Sequence, residues 1–360
     1  MNRAFNFNAG PAALPEWALQ EAQKELLNFR DTGMSVMELS HRSKDYEAVH
    51  NEAKSLLTSL LSIPEDYEIL FLQGGASLQF SMVPMNLLQE GKTAYYALTG
   101  SWSEKALKEA QKIGQTAVAV SSKENSYKNI PALDSASIPS DAAYLHITSN
   151  NTIYGTQWQQ FPTGLNVPLV ADMSSDILCK PLNIEQFDLI YAGAQKNLGP
   201  SGVTVVIIKK DLLSRANDSL PTMLNYNTHA KNNSLYNTPP TFGIYLLSLV
   251  LKWVTNEGGL EAIAKRNNEK AALLYNEIDN SEGFYNGHAD VDSRSNMNVT
   301  FTLNSDEASK AFLAQAKEAG FVGLNGHRSI GGCRASIYNA VPVENVERLA
   351  QFMNEFRKNY

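Results

Sequence analysis

Cysteine is scarce: Cys179 and Cys333 are the two such residues in a chain of 360. That excludes a disulfide framework and suits a reducing compartment. Long apolar runs are also missing, since the longest, around Ile244 to Leu251, stops at Lys252 and is far too short to span a bilayer. Met1 to Pro11 contains no apolar core of the signal-peptide kind, so a cytoplasmic protein is expected. Positive charge is in deficit, with 30 Lys and Arg against 37 Asp and Glu and a net charge of −7. General binding to nucleic acid or a membrane surface is therefore not expected, and an anionic ligand would need a local basic cluster. There is no internal repeat, low-complexity tract or linker-like stretch. What remains is 43% hydrophobic, enough for a sizeable core divided between two domains.

Strand and helix patterns alternate along the first two thirds of the chain. Residues 1–15 are an irregular lead-in punctuated by Gly10-Pro11. Helices are predicted from Trp17 to Phe29, from Glu47 to Leu61, from the Gly74-Gly75-Ala76-Ser77 turn to Leu88, and from an N-cap at Ser103 to Ile113. Short buried strands are predicted at Ile69–Leu72, Thr93–Leu98, Ala117–Val120, Ala143–Ile147, Val167–Ala171, Leu189–Ala192 and Val203–Ile208. This order implies an α/β fold, a mostly parallel sheet flanked by helices. Beyond about Asn256 the pattern becomes α+β: helices at 259–278, 306–319 and 343–357, and strands near 298–303, 321–324 and 334–338. The expected division is a large α/β domain over 16–256 and a smaller α+β domain over 257–360, with 1–15 packing beside the latter.

Between the strands Leu189–Ala192 and Val203–Ile208, Lys196 sits on a turn of small residues. Glycines there permit close approach of another molecule, and a lysine amine forms Schiff bases with carbonyl compounds. In such sheets ligands gather at the carboxyl ends of strands, so the residues just past each strand matter. Asp172 by itself reads as a turn residue or cap. Beside Lys196 it has a second use, holding the ring nitrogen of a pyridine aldehyde cofactor protonated. Gly74 to Ser77 joins a strand to a helix N-terminus, a place suited to phosphate. Trp102 could stack on a flat ring, and Thr152 could donate a hydrogen bond to it. His41-Arg42, and His327, Arg328 and Arg334, lie in short Gly- and Ser-rich segments, and they suit a small substrate carrying carboxylate and phosphate.

Taken in order, the motifs resemble one family over essentially the whole length. They are Asn8-Ala9-Gly10-Pro11-Ala12, Ser40-His41-Arg42-Ser43, Gly74-Gly75-Ala76-Ser77-Leu78-Gln79-Phe80, Gly100-Ser101-Trp102-Ser103, Ala171-Asp172-Met173-Ser174-Ser175, Ala192 to Pro200, Asn237-Thr238-Pro239-Pro240-Thr241, and Gly326-His327-Arg328 through Arg334 to Ala340. The chain is similar to the phosphoserine aminotransferases, fold-type-I transferases of the class-V group that depend on pyridoxal 5'-phosphate. The resemblance implies a homodimer with active sites at the subunit interface and small-molecule substrates, glutamate and a phosphorylated keto acid. It makes Lys196 the covalent anchor and proton carrier, Asp172 the partner of the pyridine nitrogen, Trp102 the stacking residue and Thr152 a contact on the ring hydroxyl side. Gly75, Ala76 and Gln195 would hold the cofactor phosphate, joined by Asn237 and Thr238 of the other subunit. His41, Arg42, His327, Arg328 and Arg334 would bind substrate anions. No metal is expected. Some relatives carry arginine where this chain has Ser77, which removes one basic contact here. The implied reaction joins glutamate and 3-phosphohydroxypyruvate to 2-oxoglutarate and phosphoserine. The alternatives are the same chemistry on 4-phosphohydroxythreonine and a non-catalytic cofactor-binding regulator.

Overall fold

The computed structural model describes residues 3–216 and 219–360. In chain order its strands are β1 (Phe5–Asn6), β2 (Tyr67–Leu72), β3 (Thr93–Leu98), β4 (Gln115–Ser121), β5 (Tyr144–Thr148), β6 (Asn150–Asn151), β7 (Thr156–Gln157), β8 (Leu169–Asp172), β9 (Leu189–Gly193), β10 (Thr204–Lys209), β11 (Tyr285–Gly287), β12 (Asn298–Leu303), β13 (Phe321–Val322) and β14 (Cys333–Ser336). The helices are α1 (Glu16–Lys24), α2 (Lys44–Leu61), α3 (Gly75–Leu87), α4 (Ser101–Ala110), α5 (Lys210–Leu213), α6 (Tyr226–Lys231), α7 (Thr241–Asn256), α8 (Gly259–Asp279), α9 (Asp306–Glu318) and α10 (Val343–Asn359).

Seven strands build the main sheet in the order β2-β10-β9-β8-β5-β3-β4. All run in one direction except β10, which is antiparallel to both β2 and β9. The central strands are apolar on both faces because both faces are covered. With a period of two, Leu145, Ile147, Leu169, Ala171, Ile190, Ala192, Val205 and Ile207 enter one core. The alternating set Tyr144, Val170, Leu189, Tyr191, Val206 and Ile208 enters another, beneath α3 and α4. This is the α/β architecture expected, a mostly parallel sheet between helices.

Three local expectations change. The first helix ends at Lys24 rather than Phe29. Arg30 and Asp31 take positive φ, and this turn brings Phe29 inward against Tyr245 at 5.4 Å, edge to face, while Leu27 stays 85% exposed. A helix continued to Phe29 could not make that inward turn. Helix α4 begins at Ser101, so Ser103 is its third residue and not its cap. The Ser103 hydroxyl reaches back to accept from the N–H groups of Thr99 and Gly100 at 3.0 and 3.1 Å. Finally, the apolar run at 244–251 forms the middle of α7, which sequence reading did not assign as a helix. It is apolar nearly all round because it is buried nearly all round: Ile244, Leu247 and Leu251 face one core, and Tyr245, Leu246 and Leu249 face another. None of the described helices is long and apolar enough to cross a membrane.

The C-terminal part has its own sheet, β11-β12-β14, and its own core, built on α8, α9 and α10. The N-terminal lead-in joins it, as β1 pairs in parallel with β13 and Phe7 enters that core. The expected division at 256/257 falls in the turn between α7 and α8. Helix α8 follows it and bridges the two cores, with Leu260 and Ile263 in the large one and Leu274 and Ile278 in the small one. Midway along α8 the buried amine of Lys270 donates to the carbonyls of Ile337, Tyr338 and Val341 at 2.9, 2.7 and 3.1 Å. Burial pushes its pKa down to about 7. Replacing Lys270 by Met removes the donor and leaves three carbonyls without it. The expected loss is about 2–4 kcal/mol of unfolding free energy at pH 6, read by denaturant titration; an unchanged midpoint would show that these bonds contribute nothing net.

Candidate active site

A cavity of about 400 Å³ opens at the carboxyl ends of β5 and β8, against the N-terminal turns of α3 and α4. Lys196 enters it because β10 reverses direction. A parallel successor to β9 would need a long crossover, whereas an antiparallel one needs only a turn at the carboxyl edge. That turn is closed by Ala194 N–H donating to Val203 O at 2.9 Å and Gly199 N–H to Ala194 O at 2.8 Å, with Ala194 and Leu198 buried beneath. At Gly193 an added Cβ would stand 2.7 Å from Gln195 Oε1, so the Gln195 amide would have to swing away from its present place. Gly10 of the lead-in packs on the lysine stem, and Ala12 N–H donates to Gln195 O at 2.8 Å.

The Lys196 amine donates to Thr152 Oγ1 at 2.7 Å and lies 6.0 Å from the centre of the Trp102 ring. Burial pushes its pKa down to about 8; Asp172 opposes that fall and Arg334 adds to it. Asp172, the last residue of β8, is 4% exposed. Its Oδ1 accepts from Ser174 N–H at 2.9 Å. Burial raises its pKa, while the Ser174 bonds and the Lys196 charge pull the other way. Opposite lies the first turn of α3, with no side-chain cap. Its leading N–H groups, at Gly75, Ala76 and Ser77, have no acceptor within the helix and carry the positive end of its dipole.

Nine of the residues singled out in sequence line this one cavity: Gly75, Ala76, Trp102, Thr152, Asp172, Gln195, Lys196, His327 and Arg334. Arg334 comes from β14 and donates through Nη1 to the carbonyl of Thr152 at 3.1 Å. Arg328 is exposed on the same loop as His327 and does not line the cavity. Four others lie apart from it within this chain: His41, Arg42, Asn237 and Thr238. His41 Nδ1 and Thr238 Oγ1 are 3.1 Å apart, so those two segments meet each other. Sequence reading missed Thr148, Asn150, Ser174 and Ser175, which also line the cavity, and Asp176 just behind them. The signal was present, since Thr148-Ser149-Asn150-Asn151 is a fully polar run buried directly after a strand.

The donor set fits a flat, phosphorylated pyridine aldehyde. A buried amine of lowered basicity and a buried carboxyl face one space. The uncapped helix end answers a phosphate, and three buried polar atoms of cavity-lining residues, Trp102 Nε1, Thr148 Oγ1 and Arg334 Nε, have no protein partner among the described residues.

The family model for class-V aminotransferases matches residues 4–349. Phosphoserine aminotransferase of Geobacillus kaustophilus is 69% identical over 360 residues, all of both chains. That of Bacillus subtilis is 62% identical over 99% of each. Among solved structures, a phosphoserine aminotransferase described for radiation damage of its Schiff base is 64% identical, with a TM-score of 0.97 and both chains fully covered. The pyridoxal-phosphate-bound enzyme of Trichomonas vaginalis is 40% identical, with a TM-score of 0.92 over 98% of this chain and all of that one. With a family model spanning nearly its whole length and relatives this similar, the chain belongs to the class-V aminotransferases and, within them, to the phosphoserine aminotransferases.

Proposed function

We propose that the chain uses pyridoxal 5'-phosphate to move an amino group reversibly between L-glutamate and 3-phosphohydroxypyruvate, the step that yields phosphoserine for serine biosynthesis. The observation that carries this reading is the pairing in one cavity of the Lys196 amine, lowered in pKa to about 8, with the buried Asp172 carboxyl. When bound, the cofactor supplies an aldehyde that condenses with amines and a ring that takes up the electron pair freed at the substrate α-carbon. Asp172 would hold the ring nitrogen protonated. Trp102 would stack on the ring, and the N–H groups of Gly75 and Ala76, with the Gln195 side chain, would hold the phosphate. Thr152, whose hydroxyl stations the Lys196 amine, would also contact the ring. Lys196 would anchor the cofactor and serve as the base that takes and carries the proton of the substrate α-carbon. Arg334, a planar two-donor cation, takes the substrate carboxylate. His327 offers the substrate a hydrogen-bonding imidazole in the lining, and Arg328 adds positive charge at the mouth.

His41, Arg42, Asn237 and Thr238 fit this scheme when a second copy supplies them, the first pair for substrate anions and the second for the cofactor phosphate. The segments bearing them also carry exposed apolar side chains, with Leu27 85%, Met37 54% and Tyr236 49% exposed. That is the composition of a surface made to be covered. A homodimer with shared sites is therefore part of the proposal, as are a cytoplasmic location and the two-domain division at 256/257. Two observations support those last two: Cys179 and Cys333 are free and buried, and the parts before and after the α7–α8 turn have largely separate cores.

Replacing Lys196 by Ala should cost at least about 10³-fold in turnover with glutamate and 3-phosphohydroxypyruvate and remove covalent retention of the cofactor. An active variant that still holds the cofactor covalently refutes the assignment. The free amine is the reactive form, so the rate of cofactor uptake by the apoenzyme should climb to a plateau above about pH 8. A rate still climbing towards pH 10 would mean an ordinary lysine. Replacing Arg334 by Ala should raise KM for both substrates by about 10–100-fold, as expected for a lost charged hydrogen bond, and change cofactor affinity little. An unchanged KM removes Arg334 from the substrate site.

A further inference from the structure

Just behind the cavity floor the hydrogen bonds place more demands on one hydroxyl than it can meet. Ser149 follows β5, and its Oγ lies 2.9 Å from the carbonyl oxygen of Asp172. The same Oγ makes a second, very close contact with Asp176 Oδ1. Both partners are acceptors if Asp176 is ionised, and a serine hydroxyl has one proton to give. The other end of the carboxyl is fixed independently. Asn296 N–H donates to Gln157 Oε1 at 3.1 Å, so the amide nitrogen of Gln157 is the group facing Asp176 Oδ2, also at 3.1 Å. Oδ2 is therefore an acceptor, and a proton on the carboxyl belongs on Oδ1.

We infer that Asp176 is a positioning residue for Asp172 that acts in its protonated form, donating from Oδ1 to Ser149 Oγ, whose own proton then goes to the Asp172 carbonyl. Every donor in the group then meets one acceptor. The Ser149 N–H also donates to that carbonyl, at 3.0 Å, so the end of β8 is held by two bonds. Asp176 is 7% exposed, and no lysine, arginine or histidine among the described residues pairs with it. The charged and titratable groups around it are Asp172 on β8, the Cys179 thiol and Lys180 on the following turn, and Lys196 on the β9–β10 turn. Burial pushes its pKa up to about 6, with the Asp172 charge adding to the rise and Ser149, Gln157 and Lys180 opposing it. Loss of the proton has two costs for the site. The Ser149 proton turns from Asp172 to Asp176, and a second negative charge beside Asp172 makes Asp172 more prone to take up a proton itself. A neutral Asp176 leaves Asp172 as the lone anion facing the cavity.

The catalytic meaning of this strut rests on the assignment of Asp172 to the ring nitrogen, but the protonation does not. Asp176→Asn is the informative variant, since its amide nitrogen donates to Ser149 and its oxygen accepts from Gln157, which fixes the neutral pattern. The folded pKa lies above the unfolded one, so the wild-type carboxyl contributes stability below about pH 4 that is lost as pH rises through about 6. The holoenzyme carrying D176N should therefore gain Tm over wild type as pH rises across that window, with the gap constant above it. The ratio of kcat/KM, D176N over wild type, should rise over the same window. D176A lacks both bonds and should lose activity at every pH. The infrared difference spectrum, wild type minus D176N, should show a carbonyl band of a protonated carboxylic acid at pH 5 that fades above pH 7, and this reads the proton directly. A pH-independent Tm gap, a D176N enzyme as impaired as D176A, or no such band in wild type overturns the inference. If D172N proves fully active while these results hold, the role of Asp172 fails and the strut stands.

Discussion

The site depends on keeping one amine buried, weakly basic and free to move. Water would restore the ordinary pKa of Lys196, and a direct ion pair would raise it and fix the side chain. The chain avoids both. The amine is bonded to the neutral hydroxyl of Thr152, with the Asp172 charge near enough to moderate the effect of burial without cancelling it. Topology makes this arrangement possible. Six strands of the main sheet run one way and send their carboxyl ends into loops and helices, while β10 alone among them runs back. The reversal creates a short rigid turn at the edge where the other elements open, and Lys196 stands on it.

The C-terminal part is bound into the same site through buried polar groups. Asn150, beside the cavity floor, donates to Ser175 Oγ and to Asn298 Oδ1, both at 2.8 Å, and accepts from Ser295. Asn298 on β12 donates in turn to Ser336 Oγ and Tyr338 OH, and Tyr338 OH donates to Ala9 O at 2.8 Å. One network thus joins the strand end that carries the floor, the sheet that carries Arg334 and the lead-in that packs on Lys196. Polar groups buried in this way fix relative position more than they add net stability, because each bond replaces one to water.

Much of this was legible in the sequence, and the reasons are local. Apolar runs separated by polar turns gave the strand series, and the small residues around Lys196 marked a turn open to a second molecule. Residues that line the cavity at strand ends were found because the rule that ligands gather there is geometric. What was missed depends on tertiary contact. Nothing in the pattern around Phe29 announces the left-handed turn that brings it against Tyr245. A uniformly apolar segment such as Ile244–Leu251 has no periodicity from which to read a face. The polar run after Ile147 was visible, but the burial of Asn150 depends on partners placed around it by the fold, Ser175 at 25 positions and Asn298 at 148. The separation of His41, Arg42, Asn237 and Thr238 from the cavity is of a different kind, because a single chain would not display a site of the shared kind proposed above.

Ser77 shows how charge is apportioned in this version of the site. It is exposed on the first turn of α3 and lines the cavity. An arginine there would place a full positive charge next to the helix N-terminus, where the dipole already favours anions and disfavours cations. With serine, the helix end is left to its backbone N–H groups, which suit a phosphate held in one place. Positive charge is placed elsewhere, on Arg334 inside the cavity and Arg328 on the loop beside it, with Lys105 above the Trp102 ring at 4.2 Å; in the proposed reading these groups would meet the substrate's charges. Burial, and then the charges of Arg334, Arg328 and Lys105, depress the basicity of His327. In a chain of net charge −7, a local group of Arg334, Arg328 and Lys105 beside one opening is what the proposed reading needs to draw in an anionic substrate.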